Sequence, residues 1–446
     1  MYPLIRLIVV NYNGGDMTIR CLRNLSNLGW PADRVELVMV DNHSSDGVAD
    51  RLASEMPHVR VVRSSRNLGF SGGANLGIDA LGGVEFVGFV NNDAFPEADW
   101  LRPLVDAMHE DRSIGAAAPK ILLAPRFVSL QIESDTRRPG VHDPRDLGVM
   151  VTGLRVDGVD RFADAVFRNG FWGPERGEDG PFQWTNGRAE LWCPFDAVHA
   201  MVGEVEVCLR SGFETEVRLV CGDAASIVQT DARSTWHAIR PAGEPFDAIN
   251  NVGSRLVAGG WAGDRGYLER DEGQYAAIEE VFAWCGAAAL LSRTYLDDVG
   301  HFDARLFLYY EDTDLSWRGR LRGWRYVYVP ASRVRHIHSA TSGEGSALFT
   351  HYVDRNRLLV FLRNAPMSMA VDAARTYLAE TVRIAARDVV RPVARRQPAQ
   401  PLRTRQKLRS FAGYLRRAPQ VVGGRARDRR KLKVTPRAVA VWAESP

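Results

Sequence analysis

Cysteine is scarce in this 446-residue chain, which holds only Cys21, Cys193, Cys208, Cys221 and Cys285. Their spacing supplies neither a disulfide framework nor a zinc signature. Long apolar runs are missing too: no stretch reaches the roughly eighteen consecutive apolar residues of a membrane-spanning helix. The opening Met1-Tyr2-Pro3-Leu4-Ile5-Arg6 lacks the basic start and the length of a secretory signal. A cytoplasmic location is therefore expected, with peripheral contact at the inner face of the membrane left open. Net charge is also small, at +3, but it is unevenly spread. From Met367 to Pro446 there are 19 Lys and Arg against 5 Asp and Glu, whereas residues 1–366 carry 38 against 49. A basic tail on an acidic body suits an anionic membrane surface or partner. A solvated basic helix is the plainer alternative. No paired reading helices or RNA-binding module accompany the tail, so no specific nucleic-acid recognition is expected.

What is present is an alternation of strands and helices. Leu4 to Val10 reads as a buried strand, followed by the turn Asn11-Tyr12-Asn13-Gly14-Gly15 and a helix carrying Cys21, Leu22, Leu25 and Leu28. Val35 to Val40 is a second strand ending at Asp41-Asn42. Ser44-Ser45-Asp46-Gly47 then turns into another helix, Val59 to Val62 forms a third strand, and Val84 to Val90 a fourth. Apolar strands joined by crossover helices predict a mostly parallel sheet covered on both faces. The texture changes near Pro125. Residues 126–280 hold many turn residues and short alternating segments such as Val205, Val207 and Leu209, which predicts a β-rich, sandwich-like insertion. Its Trp172, Trp184 and Trp192 suit either sugar contact or hydrophobic anchoring. Residues 281–365 resume the α/β pattern after residues 1–125. Residues 366–446 form a basic, helical extension in which Leu378, Val382 and Ala385 share one stripe.

The chemistry-bearing residues sit at strand ends. Asn91-Asn92-Asp93 closes the apolar run Phe86 to Val90, so Asp93 can be held rigidly toward a cleft. A hard cation bound there, Mg²⁺ or Mn²⁺, would carry a diphosphate and stabilise a leaving group. An Asn/Asp turn is the alternative. Asp41 can accept the imide hydrogen of uracil or thymine, with Asn42 beside it. Asn13, Asn67 and Arg66 follow neighbouring strands, and open parallel sheets bind ligands at that edge. Gly69 to Gly77 does not follow the first strand as a dinucleotide fingerprint would. Gly72 and Gly73 instead suit a turn before a helix, with Asn75 facing the donor. Tyr310-Glu311-Asp312-Thr313-Asp314 presents three carboxylates. Asp312 is the preferred general base, Glu311 an acceptor-orienting group and Asp314 a helix cap. His336 and His338 alternate on one strand, His336 as a metal or diphosphate ligand and His338 as its less certain companion.

Taken in order, these motifs resemble family 2 glycosyltransferases, especially rhamnosyltransferase-like members. The likeness runs through Val10-Asn11-Tyr12-Asn13, Val40-Asp41-Asn42, Arg66-Asn67-Leu68-Gly69-Phe70, Val90-Asn91-Asn92-Asp93, Trp284-Cys285-Gly286-Ala287, Tyr310-Glu311-Asp312 and Pro330 to His336. It implies a GT-A nucleotide-sugar transferase fold and an inverting sugar transfer. By the same likeness Asn11 and Asp41 belong to the nucleotide site, Asn92, Asp93 and His336 to the diphosphate and metal site, Trp284 to the acceptor site, and Asp312 is the base. The implied donor is a nucleotide-diphosphate sugar, dTDP-rhamnose first and a UDP-sugar second, and the acceptor a glycan or lipid-linked glycan. The alternative is a nucleotide-sugar-binding regulatory protein without turnover.

Overall fold

The computed structural model describes residues 2–140, 143–196, 203–257, 261–337 and 346–444. The chain forms two compact units. The first comprises Met1–Leu122, Ile249–Glu269 and Gly273–Pro446, and the second Leu123–Ala248 with Arg270–Glu272. The β-rich unit therefore closes earlier than residue 280. Ile249–Glu269 returns to the first unit because its polar side chains and backbone bond there: Asn250 reaches His336, and Ser254 pairs with Ala283.

In the first unit, β1 (Ile5–Asn11), β2 (Val35–Asp41), β3 (Arg60–Arg63) and β4 (Phe86–Val90) form a parallel sheet in the order β3-β2-β1-β4. β1 and β4 are buried along almost their whole length, as strands covered on both faces require. The crossovers are α1 (Gly15–Ser26), α2 (Val48–Glu55) and α3 (Gly69–Ile78). Beyond β4 come β5 (Ala94–Pro96), α4 (Leu101–Glu110) and β6 (Ile114–Ser134). The strand Ala288–Ser292 runs antiparallel to β4 and pairs on its other side with Ala116 and Ala117 of β6.

The glycine-rich segment is the body of α3 rather than a turn before a helix. A Cβ on Gly77 would fall 2.5 Å from Ile8 Cγ2, and one on Gly73 would fall 2.8 Å from Val10 Cγ1. The missing side chains let α3 lie directly against β1.

The chain continues through α5 (Arg293–Val299), α6 (Glu311–Arg320) and the strand Arg325–His336. It ends in a helical layer of α7 (Ala347–Asn364), α8 (Met367–Ala385), the short α9 (Arg391–Ala394) and α10 (Leu402–Asp428). Leu358, Phe361, Tyr377, Tyr414 and Val421 share one core, so the basic extension is packed into the first unit. α10 approaches α7 closely at Gly413, where a Cβ would lie 3.1 Å from Arg355 Cδ. Ala370, Ala373, Tyr377 and Thr381 are the buried face of α8, and the Leu378/Val382 stripe points outward. No described helix is long and apolar enough to cross a membrane.

The second unit has two sheets over one core. The C-terminal half of β6 pairs with Arg188–Phe195 and Thr215–Cys221, while Val205–Arg210 lies between Met150–Val156 and Thr235–Ile239. Leu130, Ile132, Leu191 and Leu219 from the first sheet meet Val151, Leu154, Val207 and Leu209 from the second, a sandwich arrangement. Trp192 is buried against Phe127 and Phe246, and its Nε1–H donates to Glu190 Oε1 at 2.8 Å. For this ring the anchoring role is the one observed. All five cysteines are free thiols.

Candidate active site

The carboxyl ends of β1, β2 and β4 meet where the strand order reverses, the usual crevice of an open parallel sheet. Asn11, fully buried at the end of β1, is the hub. Its Nδ2 donates to Ser44 Oγ and Asp46 Oδ2, each at 3.1 Å, and its Oδ1 accepts from Gly14 N–H at 3.1 Å and Thr18 Oγ1 at 2.7 Å. Thr18 Oγ1 in turn accepts from Asn92 Nδ2 at 3.0 Å. Gly14 covers this knot so closely that a Cβ would sit 2.1 Å from Asn92 Nδ2. Asp41 is the register partner of Asn11, is mostly buried, and accepts from Ser44 N–H at 3.0 Å. Asn42 Nδ2 donates to Asn67 Oδ1 and the Gly69 carbonyl, each at 3.0 Å. Asn13 accepts from Ser45 N–H at 2.8 Å. These residues brace one another's loops, and Arg66 is exposed beside them. Asn75 is bound instead to the Phe302 backbone through both ends of its amide, at 3.0 and 3.1 Å.

Asp93 and His336 are brought together across 243 residues. Asp93 Oδ1 lies 3.1 Å from His336 Nε2, and Asn250 Oδ1 lies 2.8 Å from Nδ1. The ladder between β5 and Arg325–His336 sets this register, pairing His336 with Ala94. Both ring nitrogens face oxygen atoms, so the imidazole is held from both sides. A carboxylate oxygen and an imidazole nitrogen side by side are donors that would suit Mg²⁺ or Mn²⁺, with Asn250 on the far side of the ring. No group of three or more His, Cys, Asp or Glu side chains gathers around a common point among the described residues. His338 lies outside the described residues, as does the segment 339–345.

Asp312 is joined to the same edge through the backbone. Asn91 N–H donates to the Ala287 carbonyl at 2.9 Å, and Gly286 N–H, one residue earlier, donates to Asp312 Oδ2 at 2.8 Å. Thr313 N–H donates to Asp312 Oδ1 at 2.6 Å. Burial pushes the Asp312 carboxyl above its ordinary range, and the nearby Asp264 charge adds to that; the two N–H groups oppose it. Glu311 is raised further, by burial and then by Asp312, and its Oε2 meets no hydrogen-bond partner among the described residues. Asp314 does not cap the helix. It is buried in contact with Arg318 at 2.8 Å, Arg363 at 3.2 Å and Asn364 at 2.9 Å. Trp284 is completely buried against Phe302, within the core. Its neighbour Cys285 carries a thiol whose pKa is raised by burial and then by Asp264 and Asp312.

The loop delivering Asp312 is strained. Phe307, Tyr309 and Tyr310 all have left-handed backbones, with φ of 70°, 66° and 68°, a conformation that costs energy and survives only when the surroundings enforce it. The enforcement comes from α7. Asn356 Nδ2 donates to the carbonyls of Leu306, Leu308 and Tyr309 at 2.9, 2.8 and 2.8 Å, and Arg355 Nη2 donates to the Leu306 carbonyl at 2.7 Å. Phe307 stacks on Tyr352, and Tyr309 meets Phe349 edge-on. Sequence reasoning gave Asn250, Arg355 and Asn356 no role. Arg355 and Asn356 belong to the polar run Asp354-Arg355-Asn356-Arg357, which is followed by the apolar Leu358 to Leu362, and Asn250 follows Ile249 in a short strand; a polar group beside such an apolar run is the one local signal they carry.

A profile described as glycosyl transferase family 2 matches residues 7–146, and one described as glycosyltransferase like family 2 matches residues 264–357. The chain belongs to family 2 of the glycosyltransferases, and its first unit carries the GT-A α/β fold. It is similar to the N-acetylglucosaminyl-diphospho-decaprenol L-rhamnosyltransferase of Mycobacterium tuberculosis, at 39% identity over 77 residues, which is 17% of this chain. The chain spans only 25% of the length of that relative. Similar solved structures include GalNAc-T7 with UDP, GalNAc and Mn²⁺, at 12% identity and a TM-score of 0.43, covering 89% of this chain and 58% of that one. The mannosyltransferase PcManGT of Pyrobaculum calidifontis, in complex with GDP-Man and Mn²⁺, is 13% identical at a TM-score of 0.39, covering 100% of this chain and 77% of that one.

Proposed function

We propose that this protein moves a sugar, with inversion, from a nucleotide-diphosphate donor to a hydroxyl of a glycan or lipid-linked glycan. The observation that carries the reading is Asp312: a carboxylate fixed by two backbone N–H groups, at the end of a strained loop, and joined through Gly286 and Ala287 to the strand end that bears Asp93. In this scheme Asp41 and Asn42 receive the base, with Asn11, Asn13, Arg66 and Asn67 shaping the nucleotide pocket. Asp93 and His336 hold the divalent cation, which when bound neutralises the diphosphate. Asp312 takes the proton of the acceptor hydroxyl. That oxygen bonds to the anomeric carbon as the bond from this carbon to the diphosphate breaks, and the nucleoside diphosphate leaves. The name of the mycobacterial relative supports rhamnose as the sugar and a polyprenyl-linked acceptor. dTDP-rhamnose is the first donor to test and UDP-sugars the second, with the enzyme working at the cytoplasmic face of the membrane. The test is release of nucleoside diphosphate from a panel of nucleotide sugars, with and without Mg²⁺ or Mn²⁺, in the presence of a polyprenyl-diphosphate sugar. Cation-dependent turnover of one donor is expected. Donor binding with no turnover of any donor would make the protein a nucleotide-sugar sensor instead.

A further inference from the structure

The outer face of α10 is apolar, although a surface helix normally turns polar residues to water. Its inner face, through Ser410, Gly413, Tyr414 and Val421, is buried in the helical layer. On the outer side Leu408, Ala412, Leu415, Pro419, Val422 and Ala426 recur at intervals of four, three, four, three and four, and so fall on one line at about 3.6 residues per turn. All six are exposed, with Leu408, Leu415 and Val422 at 53%, 55% and 47%. Arg405, Arg409, Arg416 and Arg427, also exposed, run along one edge of this line. Asp428 is the only carboxylate of α10, and it is paired with Arg363 at 3.0 Å. The adjoining α8 repeats the pattern, with Val371, Leu378 and Val382 exposed outward beside Arg375 and Arg383.

From this geometry we infer that the outer face of α10 lies in the surface of an anionic lipid bilayer, its leucine and valine row entering the boundary beneath the headgroups and its arginine row engaging their phosphates. Charge selects this occupant. A second copy of α10 would bring one unneutralised arginine row toward another, whereas acidic headgroups neutralise it. A nucleic acid would use the arginines but leave the apolar row in water. The surface would bring the enzyme to a lipid-linked acceptor, as proposed above, but its chemistry does not depend on that reaction.

The experiment is co-sedimentation of the full chain with vesicles of phosphatidylcholine alone, and of phosphatidylcholine with about one third phosphatidylglycerol. Binding is expected only to the second, weakening as salt rises. The triple variant L408S/L415S/V422S should bind these vesicles at least about tenfold more weakly, while keeping its melting temperature and its retention on heparin. The variant R405Q/R409Q/R416Q/R427Q should lose the salt dependence. Equal vesicle binding by the serine variant and the parent would overturn the inference, as would no binding to anionic vesicles. So would a dimer of the parent that the serine variant dissociates without any vesicle binding. Donor hydrolysis by the serine variant in free solution should be unchanged, so a failed bilayer test leaves the proposed reaction standing, and the reverse.

Discussion

Gly286 offers its backbone N–H to Asp312 Oδ2 at 2.8 Å, so the proposed base is held by a main-chain donor that only proline at 286 would take away. Changing the carboxylate itself is the direct probe. Asp312→Asn keeps an acceptor oxygen for one of the two N–H groups, turns an amide NH2 toward the other, and cannot take a proton. Transfer should fall by about 10²–10⁴-fold while the donor dissociation constant changes little, checked by single-turnover kinetics beside calorimetric titration. A variant that transfers at the parent rate would remove Asp312 from the base role.

Transfer should also depend on pH in a particular direction. As the proposed base Asp312 would act only when ionised, and burial followed by Asp264 places its pKa above the ordinary carboxylate range. Rate should therefore decline as pH falls through a value higher than a solvent-exposed aspartate would show. Asp264→Asn removes the smaller cause and should move this acid limb toward lower pH without abolishing it. A pH–rate profile of the two proteins decides the matter, and an unmoved limb would break the link to Asp264.

Asn356→Ala removes an amide whose two N–H donors are shared among three carbonyls of a strained loop. A stability loss of about 1–3 kcal/mol is expected, because the half-buried Leu308 and Tyr309 carbonyls lose this donor while the Leu306 carbonyl keeps Arg355. The more diagnostic outcome is kinetic: kcat should fall more than donor affinity, because the loop carries the proposed base directly and meets the proposed nucleotide side only where Phe307 touches Ser71. Equal losses in both would mean general unfolding rather than mispositioning.

Acid should loosen the helical layer. Burial and the surrounding Arg355, Arg409 and Arg416 push His351 from 6.5 down to about 4, and Ser410 Oγ lies 3.3 Å from its Nδ1. The folded state thus binds this proton less readily than the unfolded state. The resulting stability is present above about 6.5 and is lost progressively as pH falls toward 4. His351→Gln should flatten that part of the stability–pH curve in urea titrations. A parallel curve for parent and variant would show that other groups carry the dependence.

Much of the sheet and of the candidate site's position is legible in the sequence, because local signals suffice there. An apolar run followed by Asn or Asp marks the ends of β1, β2 and β4, and Asp41 and Asp93 follow from position alone. The remainder depends on contacts between distant residues. Asn250 looks like any strand residue until the fold carries it 86 positions along the chain to His336. Gly73 and Gly77 resemble a turn until β1 is seen pressed against them. The Leu378/Val382 stripe has helical spacing, but spacing does not tell which side of a helix faces water. Only the inward fit of Tyr377 and Thr381 settles that.

The bare Cα at position 413 links two regions that otherwise have little in common. A Cβ there would press within 3.1 Å of Arg355 Cδ, and Arg355 is itself part of the grip on the loop before Asp312. A larger residue at 413 would act as a wedge. It would push on a guanidinium rather than merely lift a helix, so an innocuous-looking substitution far out in the basic extension would be felt at the proposed reaction centre.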